Sequence, residues 1–230
     1  MTLSNLAPSE GLGCLHLFYK SNPGANSTDF ASVIDKFSSK TDCQSVTSTI
    51  LGHKADLAVM ALSPDFNDLR ELQTELTKIG LDPVDSYVSL TEVSEYAAGV
   101  PEEMKQARLY PNLPPEGMDA YCFYPMSKRR NPGQNWYSTD FETRKELMMG
   151  HGKSGKSFRG RIVQLITGST GLDEYEWGVT LFGKHPDDLK DAVYTMRFDE
   201  ASAKYAEFGD FFIGTVGSPV DVALAAGIEE

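Results

Sequence analysis

Apolar and polar positions follow two periods along this chain. Residues 14–19, 55–62 and 85–90, and then 120–125, 158–168, 175–182 and 211–216, alternate or form short apolar runs and read as strands. Between them the period lengthens to that of a helix. Residues 29–38, opened by Ser27 or Thr28, residues 66–79, stopped by Gly80, and residues 140–150 and 186–197 carry apolar stripes. A short helix is predicted over 93–98. The order β-α-β-β-α-β, spelled out in the second half, is the ferredoxin-like plan of an α+β fold.

The halves also share sequence. DLAVMALSPDFNDL at 56–69 aligns without gaps on EWGVTLFGKHPDDL at 176–189, both running from an acid through an apolar strand and a proline turn into a helix. A weaker match pairs Leu90–Tyr96 with Phe198–Tyr205. The pattern predicts a duplicated unit, an N-terminal one over 1–98 and a C-terminal one over 119–230. Pro101, Pro111, Pro114, Pro115 and Gly117 make 99–118 an irregular linker.

Charge changes this picture. The chain of 230 residues carries a net charge of −12, which opposes nucleic-acid binding. Residues 121–161 nevertheless hold nine cations (Lys128, Arg129, Arg130, Arg144, Lys145, Lys153, Lys156, Arg159 and Arg161) against Asp140, Glu142 and Glu146. That net of +6 leaves −18 to the rest of the chain and suits a small polyanion. No apolar run is long enough for a transmembrane segment, and the start lacks the pattern of a signal peptide. Cys14, Cys43 and Cys122 show no metal or redox spacing and read as reduced, buried thiols of a cytoplasmic protein.

Candidate chemistry is sparse. His53 and His185 sit in polar turns, and His16 alternates into the first strand. His151, at the end of the predicted helix 140–150 and before Gly152, has a bland reading: imidazolium at the negative end of a helix dipole. The sharper reading is a sole protein ligand of porphyrin iron, since one histidine cannot build a zinc site. By pattern alone Tyr124 is a core or edge aromatic and Lys128 part of a solvated turn. The alternative is a redox tyrosine beside a cation for an anionic substrate. Residues 167–171, TGSTG, lack a complete phosphate-loop pattern and read as a turn between strands.

The strings CFYPMSKRR, NWY, HGKSGKSFRGRIVQLITGSTG, EWGVTLF and MRFDEASAKYAEFGDFFIG resemble the chlorite dismutase-like superfamily, and within it the coproheme decarboxylases. The resemblance is strong over 108–216 and diffuse before. It implies two ferredoxin-like units forming a dimeric α+β barrel, usually assembled as a homopentamer. It also implies hydrogen peroxide-dependent oxidative decarboxylation of two propionates of Fe-coproporphyrin III (coproheme), giving haem b through a tyrosyl radical. Carried over by motif, His151 is the axial iron ligand, Tyr124 the radical site and Lys128 the lysine beside the reactive propionate. Met126 lies between them, with Pro125 and Ser127 in the same cofactor-binding strand. Arg108 and Ser202 bind propionates, Arg197 is a nearby cation, Trp136 lines the pocket and Gln164 takes the distal position. PPEGMDA, at 114–120, is two residues longer than the family spacing. Implied partners are coproheme, hydrogen peroxide and, transiently, a coproporphyrin ferrochelatase. Chlorite dismutases place an arginine where Gln164 stands, and a neutral amide holds an oxychlorine anion less well. A chlorite dismutase or weak haem peroxidase, and a non-catalytic haem-binding or delivery protein, are the alternatives.

Overall fold

The computed structural model describes residues 4–22, 24–97 and 99–230. The chain runs β1 (Gly13–Lys20), α1 (Ser27–Ser38), β2 (Gln44–Ile50), β3 (Leu57–Ser63), α2 (Phe66–Lys78) and β4 (Asp82–Thr91), then α3 (Glu102–Leu109). It continues with β5 (Ala120–Lys128), the small hairpin β6 (Arg130–Asn131) and β7 (Gln134–Asn135), and a 3-10 turn at Trp136–Ser138. There follow α4 (Phe141–Lys156), β8 (Ile162–Gly168), β9 (Trp177–Gly183), α5 (Pro186–Met196), α6 (Glu200–Tyr205), β10 (Ala206–Phe208), β11 (Phe212–Gly217) and α7 (Pro219–Ala225).

Strands pair in the order β4-β1-β3-β2 in the first half and β11-β5-β9-β8 in the second, all antiparallel. Each is the sheet of a ferredoxin-like unit. The seams β2–β11 and β4–β8 join the two sheets into one closed barrel, which removes the exposed edges. The β2–β11 seam depends on Gly214, where a Cβ would collide with the Thr49 carbonyl oxygen.

Strand alternation divides the core. Inward-facing Cys14, Phe18, Met60, Tyr87, Phe123, Phe182 and Phe212 fill the barrel. Outward-facing Leu15, Leu17 and Tyr19 pack under α1 and α2, burying Phe30, Ile34, Phe37, Leu69, Leu72 and Leu76. Each such side chain contributes about 1.5–3 kcal/mol on leaving water. On the second unit the outward layer is thinner: Cys122, Tyr124, Val179, Leu181 and Leu189.

Several sequence expectations are corrected. Strand β2 carries no apolar alternation, because QSVTSTI is mostly hydroxyl side chains, yet Val46 and Ile50 point into the barrel. The N-cap of α1 is Asn26, whose side chain accepts from the Thr28 and Asp29 amides. The predicted helix at 93–98 is a turn over its described residues, with Ala98 outside them; the Ser94 hydroxyl accepts from Tyr96 N, and Tyr96 stacks on Phe141. The segment 99–118 is not irregular throughout. Pro101 immediately precedes α3, Glu102 and Glu103 favour its first turn, and Pro111 follows its end. Helix α4 runs on to Lys156, so β8 starts at Ile162 rather than 158. The repeat at 56–69 and 176–189 maps onto β3–α2 and β9–α5, but the weaker match does not hold. Leu90–Tyr96 ends β4 and turns, whereas Phe198–Tyr205 leads through α6 into β10.

Candidate active site

Helices α1 and α4 occupy the same position in their units, but they pack differently. Helix α1 is amphipathic and buries Phe30, Ile34 and Phe37. Helix α4, 16 residues long, buries no side chain and leans on α5 and α6. Beneath the second unit, Gln164 and Ile166 of β8 remain exposed on the outer sheet face. The layer that apolar side chains close in the first unit is therefore open in the second.

Pairing register puts the sheet residues in rows on that face. Cys122, Leu181 and Gln164 lie opposite one another across β5, β9 and β8, and Tyr124, Val179 and Ile166 form the next row. Tyr124, Met126 and Lys128 share the face because they are two residues apart on β5. Pro125 and Ser127 point the other way. Ser127 Oγ accepts from Glu176 N at 3.2 Å, and the Pro125 carbonyl accepts from Gly209 N at 2.9 Å.

His151 stands within α4, more than a turn before its end. The helix-dipole reading lapses at that distance, because the effect fades beyond the last turn. Its Nδ1 lies 2.9 Å from Asp199 Oδ2 and 3.4 Å from Ser202 Oγ. A carboxylate only accepts, so Nδ1 is the donor and Nε2 is the ring nitrogen left for a ligand. Asp199 is the N-cap of α6, and its Oδ1 accepts from the Ala201 and Ser202 amides. Ser202 thus lies behind the imidazole.

Lys128 is 7% exposed, its Nζ donating to the Ala201 carbonyl at 2.9 Å and lying 4.6 Å from the Trp136 ring centroid. Burial pushes its pKa down to about 8, against the pull of Asp199 and Glu176. Trp136 is buried between Lys128 and Tyr205, its ring centroid 5.1 Å from that of Tyr205. Tyr124 is 8% exposed and stacked on Phe211, and burial raises its pKa, keeping the phenol protonated. Arg197, exposed at the end of α5, lines a cleft of about 490 Å³ with Leu189, Val193, Tyr194, Phe211 and Ile213. Arg108 is exposed on α3 and makes no ion pair among the described residues.

The basic island is partly neutralised, four of its cations by acids from elsewhere and Lys145 by an acid of its own. Arg129 pairs with Glu207, Arg130 with Glu176, Arg144 with Glu95, Lys145 with Glu142, and Arg161 with Asp188 and Asp191. Among the described residues, Lys153, Lys156 and Arg159 are the island's cations with neither an ion pair nor burial. The other histidines are not candidates. His16 is buried in the barrel, its Nε2 at 2.9 Å from Thr180 Oγ1 and its pKa pushed down to about 3 by burial, while His53 and His185 are exposed. All three cysteines are free and buried. No helix among the described residues is long and apolar enough to cross a membrane.

The family model described as Chlorite dismutase matches residues 25–217. The chain belongs to the chlorite dismutase family. A curated coproheme decarboxylase from Staphylococcus carnosus (strain TM300) is 44% identical over 201 residues, 82% of this chain and 80% of that protein. A solved heme-binding protein from Thermus thermophilus aligns with a TM-score of 0.86 at 30% identity, covering 99% of this chain and 100% of its own. A mutant chlorite dismutase from Candidatus Nitrospira defluvii gives a TM-score of 0.77 at 17% identity, over 95% of this chain and 97% of that one, and so shares the fold.

Within this chlorite dismutase-family barrel, sequence reasoning missed Asp199, Glu176 and the Phe208–Phe211 pair. Glu176 is buried, accepts from the Lys128 amide at 2.8 Å and pairs with Arg130. Only Asp199 left a sequence signal, as an acid three residues before Ser202 at a helix start.

Proposed function

We propose that this chain is a coproheme decarboxylase, converting two propionates of Fe-coproporphyrin III to vinyl groups at the expense of hydrogen peroxide and yielding haem b. The observation that carries this reading is the pairing of an open sheet face bearing Tyr124 and Gln164 with a helix that presents His151, its Nδ1 held by Asp199. The relative 44% identical over most of the chain, a coproheme decarboxylase, supports the same reaction.

An iron porphyrin fits these residues. His151 Nε2 is the ring nitrogen left for iron, the neutral amide of Gln164 lies on the sheet face, and Met126 and Ile166 are apolar neighbours on that face. When bound, the porphyrin supplies the peroxide chemistry as both substrate and redox cofactor. For each propionate, one peroxide and one proton are consumed, and a vinyl group, carbon dioxide and two waters result. Tyr124, after giving an electron and a proton to the reduction of peroxide to water, would as a phenoxyl radical accept the hydrogen atom from the propionate β-carbon and so regain its O–H. Lys128 is the cation that opposes the reacting carboxylate, and its pKa, lowered by burial to about 8, supports a part in delivering the proton. Arg108 and Arg197 hold propionates at the rim, and Ser202 helps to orient the imidazole.

Gln164 weighs against chlorite turnover, because it provides no charge for the oxychlorine anion. A five-subunit ring, a cytoplasmic location and transient contact with a coproporphyrin ferrochelatase follow from the family and belong to the same proposal. The test is mass spectrometry of the porphyrin after peroxide titration of the coproheme complex. Stepwise loss of two carboxyl groups to vinyls is expected, whereas bleaching alone would overturn the proposal.

A further inference from the structure

Strands β10 and β11 run along the same edge of β5 but out of step. Phe208 pairs with Met126 and Phe212 with Phe123, so four steps along one strand oppose three along the other. The extra residue makes a β-bulge over Gly209–Phe211. Gly209 is required there: a Cβ would lie 2.7 Å from Pro125 Cγ and 2.8 Å from Tyr175 Cζ.

The bulge reverses the face of Phe208 relative to Phe212. In a regular strand Phe208 and Phe212 would share a face and Phe211 would oppose them. Here Phe212 turns into the barrel against Phe18, with ring centroids 3.8 Å apart. Phe208 and Phe211 both turn outward onto Tyr124. Phe211 stacks on it at 4.4 Å and 22°, and Phe208 meets it edge-on at 5.6 Å.

We propose that this bulge is a positioning device for Tyr124: Phe211 and Phe208 hold the phenol in one orientation and away from water, so that its oxygen addresses one substrate carbon. This rests on Tyr124 being the hydrogen-atom acceptor. Stacked rings resist rotation about χ2 and add about 0.5–1.5 kcal/mol beyond burial. Phenylalanine rings are far harder to oxidise than a phenol, so they flank the radical site without competing for the oxidising equivalent. The same burial keeps the phenol protonated, so its oxidation gives a proton together with the electron to the reduction of peroxide to water.

The test uses the full chain labelled with ring-13C tyrosine, the Tyr124 signals being assigned through Tyr124→Phe. Without porphyrin, the two ε positions should be separate in the parent protein, merge in Phe211→Leu and separate again in Phe211→Tyr. With coproheme and peroxide, Phe211→Leu should keep its coproheme affinity, lose roughly tenfold or more in vinyl product per peroxide, and give a tyrosyl radical with altered β-methylene hyperfine splitting in its EPR spectrum. Phe208→Leu should act in the same direction but less. Merged signals in the parent protein, or unchanged flipping, splitting or yield in Phe211→Leu, would overturn the positioning role. Normal turnover by Tyr124→Phe would instead overturn the radical assignment, whatever the ring does.

Discussion

Asp199 Oδ2 lies 2.9 Å from His151 Nδ1, tying the body of α4 to the first turn of α6 across 48 residues of sequence. The two oxygens of Asp199 divide the work. Oδ1 caps α6 through the Ala201 and Ser202 amides, and Oδ2 fixes the tautomer and plane of the imidazole. Since α4 buries no side chain, this bond is a principal constraint on where the imidazole points.

Asp199→Asn should therefore weaken the hold on His151 while leaving a neutral cap for α6. The imidazole loses its anionic partner and becomes a poorer donor to iron. Coproheme affinity should fall roughly 10–100-fold, the usual loss for such a partner, and the iron–histidine Raman band of the ferrous complex should move to lower frequency. An unmoved band with full affinity would detach Asp199 from this role.

Tyr124→Phe keeps the ring between Phe208 and Phe211, so fold and coproheme affinity should be retained. It removes the O–H group whose oxidation gives the phenoxyl radical that accepts the hydrogen atom. Peroxide should then yield neither vinyl product, only slow bleaching, as read by mass spectrometry of the porphyrin.

Lys128 sets a pH dependence of stability whose sign follows from burial. Its folded pKa, about 8, lies below the ordinary lysine value of 10.5, so between these values the unfolded chain binds the extra proton. Stability contributed by this group should rise as the pH climbs from about 8 towards 10.5, by on the order of 2–3 kcal/mol. Urea unfolding of the parent and of Lys128→Met checks this. The mutant should lack the alkaline rise, and parallel curves would mean that Lys128 is charged in the folded state.

Salt should weaken binding of coproheme more than of haem b, because two further propionates meet cations open to screening. The effect should trace to Lys153, Lys156, Arg159 and Arg197 rather than to Arg130 or Arg144, which carboxylates already engage. Alanine at the first three together should flatten the salt slope measured by absorbance titration. Alanine at Arg144 should leave the slope alone.

The local physics of the chain determined much of the outcome. Alternation placed β1, β3, β5, β9 and β11 to within a few residues, and period and caps placed α1, α2 and α5, because burial of one face is a short-range pattern. Motif strings pointed to His151, which lies on α4, and to Tyr124 and Gln164, which lie on one face of the second sheet. Tertiary structure alone decided what no local pattern carries. Strand β2 is held by its neighbours rather than by its own hydropathy, and the Val93 region turns because Tyr96 packs on Phe141. The charge excess at 121–161 looked like an open anion site, yet Glu95, Glu176, Asp188 and Glu207, distant in sequence, neutralise part of it. Asp199 reaches His151, and Phe211 reaches Tyr124, only once the barrel has closed. Electrostatic pairing and ring stacking depend on distance in space, and the sequence states distance along the chain alone.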